Sequence, residues 1–293
     1  MSKRRKNSPT VEAPKRQKPR DVFVPRPFAG LADEPEWIAL RELVPAASAP
    51  LRLVPDLVEK YGERPVTLAT VLPMAWPAMT KPDGRVFIGL QRHVQSGDVS
   101  RDLAVALLRA LETEPGGTVS VPALPGEGPR LQDLLVDAPL DIEMHDGFAF
   151  WLDEDAGDDP EVKASLERAD ASIYPTVRLS AGRAAYWCQV ADKAHVRWVL
   201  AEEEDLALDA LARLSAAGAL PLGEGTKFAG MFRAHGLLVP VWDLPHDPPA
   251  DDWETPAAEF AKRYAEVVGS SEPLTPAQRR SRQGLLGRQI TLR

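Results

Sequence analysis

One cysteine in 293 residues, Cys188, leaves no partner for an internal disulfide and removes every zinc site built on paired thiolates. It sits beside Trp187 in a strand-like run, where a buried thiol acts as a small hydrophobe. The longest apolar stretches run to about eight residues, far short of the roughly 20 that span a bilayer. No apolar segment follows the basic N-terminus, so no secretory leader is read there. These absences together lead us to expect a cytoplasmic protein that does not engage membrane.

Catalytic patterns are also missing. The five histidines, His93, His145, His195, His235 and His246, show no i, i+4 pairing on a helix, so no metal site is expected. There is no Gly-x-Ser-x-Gly elbow. Gly223-Glu224-Gly225-Thr226-Lys227 departs from the phosphate-binding loop, because Thr226 separates the second glycine from the lysine and strand-like residues follow. No cofactor is expected. A third-ranked enzyme reading would rest on Glu224, Lys227, Arg233, His235 and Asp243, but a turn histidine between Ala234 and Gly236 explains His235 more simply.

Charge is unevenly distributed. Residues 1–20 carry Lys3, Arg4, Arg5, Lys6, Lys15, Arg16, Lys18 and Arg20 against Glu12 alone, which is +7. The whole chain is −8, so residues 21–293 carry −15. Such a body repels nucleic acid and anionic membrane, and only the arm attracts them. Residues 1–27, rich in proline and with little apolar content, read as a disordered basic tail, either a solubilising leader or, in the alternative function, an arm whose Lys3, Arg4, Arg5 and Lys6 would meet RNA or a ribosome. Residues 269–293 read as a second loose basic tail with one helical turn from Pro276.

Between the tails the periodicity predicts an α+β fold of two similar halves, residues 28–159 and 160–268. The first has a helix over 35–44 and strands over 50–54, 66–72 and 85–90. Asp83-Gly84 supplies hairpin chemistry, and a helix capped at Asp98 or Ser100 carries Leu103, Leu107 and Leu111 on one face. A strand over 148–152 and an acidic linker over 153–159 close it. The second half repeats helix–strand–strand–strand–helix with elements over 160–170, 176–179, 185–190, 195–200 and 204–217. Strands over 227–234 and 237–242 then flank His235-Gly236, and a helix covers 256–268. Each half is expected to contain three consecutive antiparallel strands. The element order of the second half resembles that of type III secretion chaperones, a likeness that implies an antiparallel sheet packed on helices and a surface that binds protein segments.

Five phrases carry a second resemblance: EWIALRELVP at 36–45, TLATVLPMAWP at 67–77, GPRLQDLL at 128–135, LGEGT at 222–226 and FRAHGL at 232–237. They resemble an uncharacterised family from high-GC Gram-positive bacteria. Some of its members carry an N-terminal zinc knuckle similar to the one that ends the SecA translocase; this chain has none. The resemblance implies no activity. Seven tryptophans against four tyrosines are the remaining signal, with Trp76 and Trp242 placed where strands end. Aromatic residues concentrate at interfaces. The expected site is therefore a polar, aromatic-edged recognition surface of Glu224, Lys227, Trp242 and Asp243, with Trp76 as a further contact. The expected function is that of an adaptor or chaperone-like module for a protein partner.

Overall fold

In the computed structural model, which describes residues 20–152 and 159–288, the alternating segments form two five-stranded sheets. The first contains β1 (Ala47–Leu51), β2 (Val66–Val71), β3 (Ala78–Thr80), β4 (Val86–Gln91) and β5 (Glu143–Met144), in the order β3-β4-β2-β1-β5. The second contains β6 (Thr176–Arg178), β7 (Ala185–Val190), β8 (Lys193–Trp198), β9 (Lys227–Ala234) and β10 (Leu237–Leu244), in the order β6-β7-β8-β10-β9. Eight α-helices accompany them among the described residues: α1 (Glu34–Glu42), α2 (Pro55–Tyr61), α3 (Val99–Glu112), α4 (Leu131–Leu134), α5 (Pro160–Asp170), α6 (Glu204–Ala216), α7 (Glu254–Val268) and α8 (Pro276–Leu286). The fold is α+β. None of these helices is long and apolar enough to cross a membrane.

The second half has the expected element order. Its sheet is antiparallel throughout, and His235 (φ 47°) and Gly236 (φ 88°) make the β9–β10 turn in the left-handed region that such hairpins need. The first half departs from three consecutive antiparallel strands. β2 and β4 pair parallel, Val66 opposite Val86 and Leu68 opposite Ile88. The Asp83-Gly84 turn joins β4 to the short β3, which the alternation did not mark. α2 is a further insertion: Val54 is extended and Pro55 opens the helix, where its missing N–H costs nothing. Asp98 caps α3 by accepting from the Arg101 backbone N–H. The strand expected over 148–152 is a 3-10 turn, Ala149–Trp151, whose Trp151 ring stacks on Phe148.

Two boundaries move. Residues 21–27 are docked rather than part of a free arm. The Val24 backbone N–H donates to the Gly97 carbonyl at 2.8 Å, and Arg130 and Gln132 donate to the Pro27 carbonyl. At the other end α8 is a three-turn helix closed by a Thr275–Gln278 capping box. Arg282 reaches Asp205 and Asp209 of α6, and Leu285 is buried in the second core. Residues 1–19 and the acidic run over 153–158 lie outside the described residues.

β10 explains how the halves meet. Its sequence, Leu237-Leu238-Val239-Pro240-Val241-Trp242, is apolar without alternation because both faces of the second sheet are covered. Leu237, Val239 and Val241 join a core with α1, α3 and the first sheet; Leu238 and Trp242 join another with α6 and α7. Pro240 is tolerated in this inner strand because the ladder to β8 starts only at Val241.

At the seam Glu36 of α1 is fully buried. Its carboxylate accepts from Arg178 Nε (3.0 Å) and Nη2 (2.7 Å), the Ala184 backbone N–H (2.9 Å) and the Tyr186 hydroxyl (2.7 Å). Burial, reinforced by the Glu36 charge, pushes the Tyr186 phenol well above its ordinary value. Replacing Glu36 by Ala strands four donor atoms on three residues and is expected to cost about 3 kcal/mol in urea unfolding, the low end for breaking a buried pair because Arg178 can partly rehydrate. A loss under about 1 kcal/mol would show that the seam does not depend on this carboxylate.

Candidate functional site

Pairing places Lys227 opposite Asp243 and Phe228 opposite Trp242 across β9–β10. Strand alternation then separates the expected site residues. Lys227 and Glu224 are exposed. Trp242 is fully buried, its indole N–H donating to the Leu220 carbonyl at 3.0 Å and its ring edge-on to Phe260 at 4.8 Å. It is a core residue and lines no surface. Asp243 turns to the neighbouring β8, where His195 Nδ1 lies 3.0 Å from its Oδ1. Burial keeps His195 below its ordinary value although Asp243 works the other way.

The Gly223–Thr226 turn closes on itself. The Thr226 hydroxyl donates to the Gly223 carbonyl at 2.7 Å and accepts from its N–H at 3.1 Å, leaving no open cradle for phosphate. Arg233 is paired with Glu204, and His235 stands at the far end of the hairpin with Glu42 at 2.8 Å and Phe28 edge-on at 5.4 Å. Of the five residues of the enzyme reading, Arg233, His235 and Asp243 are held in three separate pairs and Glu224 and Lys227 are exposed; the carboxylate bonded to His235 is Glu42, neither Glu224 nor Asp243.

Trp76 belongs to the first sheet and to a different surface. Along β4 the residues Val86, Ile88 and Leu90 point into the core, so Phe87 and Gly89 face outward. On that outer face Phe87, Ala69 and Leu72 pack with Met79, Phe150 and Trp151. The 73–77 loop crosses the sheet over Gly89, where a Cβ would lie 2.7 Å from the Trp76 carbonyl oxygen and 3.3 Å from Leu72. Only glycine permits that approach. Backbone bonds fix the loop: Ala75 N–H to Leu72 O at 2.8 Å, Trp76 N–H to Pro73 O at 3.1 Å and Gly89 N–H to Pro77 O at 3.1 Å. Met74 (φ 55°) and Ala75 (φ 49°) are left-handed, and the loop presents Met74 at 75% and Trp76 at 51% exposure.

The rest of the face is aromatic. Phe148 stacks on Trp151 at 4.3 Å, and Phe150 stacks on His145 at 4.2 Å. The Trp151 indole donates to the Val71 carbonyl at 3.0 Å, and Lys81 donates to the Trp151 carbonyl. Ser48 Oγ and His145 Nε2 are hydrogen-bonded at 2.8 Å, and burial pushes the imidazole below its ordinary value, so it is neutral near pH 7. Sequence reasoning named Trp76 here and missed Met74, Phe150 and Trp151. The signal for the last two was the dense run Phe148-Ala149-Phe150-Trp151, read instead as strand. A separate cleft over Trp37, walled by Pro50, Leu135 and Leu140, measures about 80 Å³, well below the roughly 300 Å³ at which small-molecule sites begin.

The profile of DUF5926, a family of unknown function, matches residues 27–293, and the chain belongs to that family. No curated protein and no solved structure matches it, so the likeness to type III secretion chaperones remains one of element order.

Glu42 and His235 clamp the β9–β10 turn onto α1. Burial alone would raise the Glu42 carboxyl, but the His235 hydrogen bond and charge, with Arg41, outweigh it and hold the group below its ordinary 4.5. A carboxyl depressed in the fold adds stability above its unfolded value and loses it as pH falls through the lower folded value. The stability gap between the native chain and Glu42→Gln should therefore be open above the ordinary carboxyl value of 4.5 and narrow progressively as pH falls below it in chemical unfolding. A gap unchanged down to about pH 3 would show that Glu42 titrates alike folded and unfolded.

Proposed function

We propose, for a member of a family that brings no known activity, that this chain is a protein-binding module of adaptor or chaperone-like kind. Its docking surface is the outer face of the first sheet, centred on Met74 and Trp76. The observation that carries the reading is their exposure on a loop fixed by three backbone hydrogen bonds and by contact with Gly89. A partner protein covers such a patch with apolar side chains, since a rigid aromatic anchor loses little conformational freedom on binding. Methionine adapts to the shape presented to it. The aromatic floor of Phe150 and Trp151 extends the patch, and the hydrogen-bonded Ser48–His145 pair, flanked by the exposed Glu143 and Asp146, gives it a polar rim. One buried cysteine suits a reducing cytoplasm as the place of work.

The test is capture on the immobilised full-length chain after nuclease treatment, followed by titration of the purified captured protein. Trp76→Ala should weaken that titration about 30-fold, as expected for an aromatic anchor near 2 kcal/mol. Its melting temperature should be unchanged, and Met74→Ser should weaken binding less. Equal affinity for Trp76→Ala, or capture that vanishes with nuclease, would overturn the reading.

A further inference from the structure

The outer face of the first sheet also holds a hydroxyl and an imidazole aligned as a nucleophile and its base would be. β1 turns Ala47, Ala49 and Leu51 into the core, so Ser48 between them faces outward. Its partner across the ladder, Ala69, belongs to the small outer cluster. His145 directly follows β5, the edge strand beside β1, and its backbone N–H donates to the Ala46 carbonyl at 3.0 Å. That bond places the imidazole next to Ser48, whose Oγ lies 2.8 Å from Nε2. Phe150 stacks on the other side at 4.2 Å, its ring plane 19° from that of the imidazole, and limits the rotation of the base. Ser48 and His145 are both partly exposed, so a substrate can reach Oγ.

We infer that Ser48 and His145 form a nucleophile–base pair that hydrolyses activated esters with an apolar acyl group. With the ring proton on Nδ1, Nε2 accepts from the Ser48 hydroxyl. Burial disfavours the imidazolium and outweighs Glu143 and Asp146, which would stabilise it, so the ring stays in the form that can take a proton. In the first step Ser48 Oγ bonds to the acyl carbon while its proton passes to Nε2. The bond from that carbon to the leaving oxygen then breaks, and the leaving oxygen takes the proton back from Nε2. Water repeats the sequence on the acyl-serine, giving its proton to Nε2 and its oxygen to the acyl carbon, and Oγ leaves with the proton. The sum is ester plus water to acid plus alcohol. The partly exposed rings of Phe150 and Trp151 beside the pair offer the acyl group an apolar wall. Among the described residues no carboxylate is bonded to His145 Nδ1; Glu143 and Asp146 act on the ring through space. A bonded acid would steady the imidazolium. Without one the pair suits an ester whose leaving group departs easily, such as an aryl ester. The inference shares a face with the protein-binding reading but does not rest on it, since neither Met74 nor Trp76 takes part.

The experiment treats the full-length chain with a fluorophosphonate, which phosphonylates a nucleophilic serine with loss of fluoride, and locates the adduct by peptide mass spectrometry. Hydrolysis of p-nitrophenyl butyrate is followed alongside. The adduct should form on Ser48, and prior labelling should remove the release of p-nitrophenolate. Ser48→Ala should abolish both signals. His145→Gln keeps a hydrogen-bonding group beside Ser48 but no base, and should slow labelling by about 10²- to 10⁴-fold, the usual contribution of a positioned general base. Trp76→Ala should label at the native rate, so failure of this inference and failure of the protein-binding reading are separate results. No adduct on Ser48 in the native chain would overturn the inference whatever the variants do. Equal labelling rates for His145→Gln and the native chain would overturn it too, and would leave the pair as a structural hydrogen bond.

Discussion

A single buried carboxylate joins the two halves of this protein. Glu36 has no access to water, and an unpaired charge there would be strongly unfavourable. Four hydrogen bonds from the second half satisfy it, three of them from the Arg178 and Tyr186 side chains of the β6–β7 hairpin and one from the Ala184 backbone. The consequence is geometric. α1 cannot rotate or slide without stranding Glu36, and the same helix carries Trp37, Ile38 and Leu40 into the shared core. Its other two acids act toward the same end. Glu34 holds Arg26, which also reaches Glu203, and Glu42 holds the β9–β10 turn through His235. Most of α1 is buried, and its acids address the neighbouring half where a surface helix would address water.

Because α1 covers one face of the second sheet, and α6 and α7 cover the other, that sheet has no free face to offer a partner. Its long edge strand β9 is partly closed as well, since the Met231 backbone N–H donates to the Arg288 carbonyl beyond α8. The first sheet differs. Its inner face is core, but its outer face is only partly capped by the 72–77 loop and the turn around Phe150. Packing therefore leaves the outer face of the first sheet, away from the loop at Gly223–Lys227, as the more open of the sheet faces.

Local chemistry made much of the fold legible. Asp83-Gly84 and His235-Gly236 mark hairpins, Asp98 marks the start of α3, and the 3.6-residue period marks α6. Features that depend on distant partners were not legible. The parallel β2–β4 pair follows from a loop that leaves the sheet and returns over Gly89, which no alternation encodes. α8 contributes only Leu285 to the buried core and is held by Arg282 against α6 acids some seventy residues earlier, so its sequence reads as a loose tail. Trp242 was misplaced because a tryptophan at a strand end suggests a rim. The unbroken apolar run before it was the better signal, since only a strand covered on both faces can carry one. Trp76 carries the same strand-end signal, and its exposure follows from the loop between Pro73 and Pro77 that lifts it off the sheet.

The 73–77 loop carries one further implication. Left-handed backbone costs an L-residue roughly 1–2 kcal/mol, and glycine or asparagine would relieve it. This chain places Met74 and Ala75 in that region in succession, and Met74 recovers little by packing because three-quarters of it faces solvent. A loop shaped only for stability would bury the methionine or replace the strained residue. The strain is compensated elsewhere, by Leu72 inside the small outer cluster and by the close approach to Gly89. What the conformation gains is outward display of Met74 and Trp76 on a backbone that cannot collapse onto the sheet. Strain retained without local benefit is what the proposed reading accounts for, since it assigns the benefit to an apolar partner on the outer face.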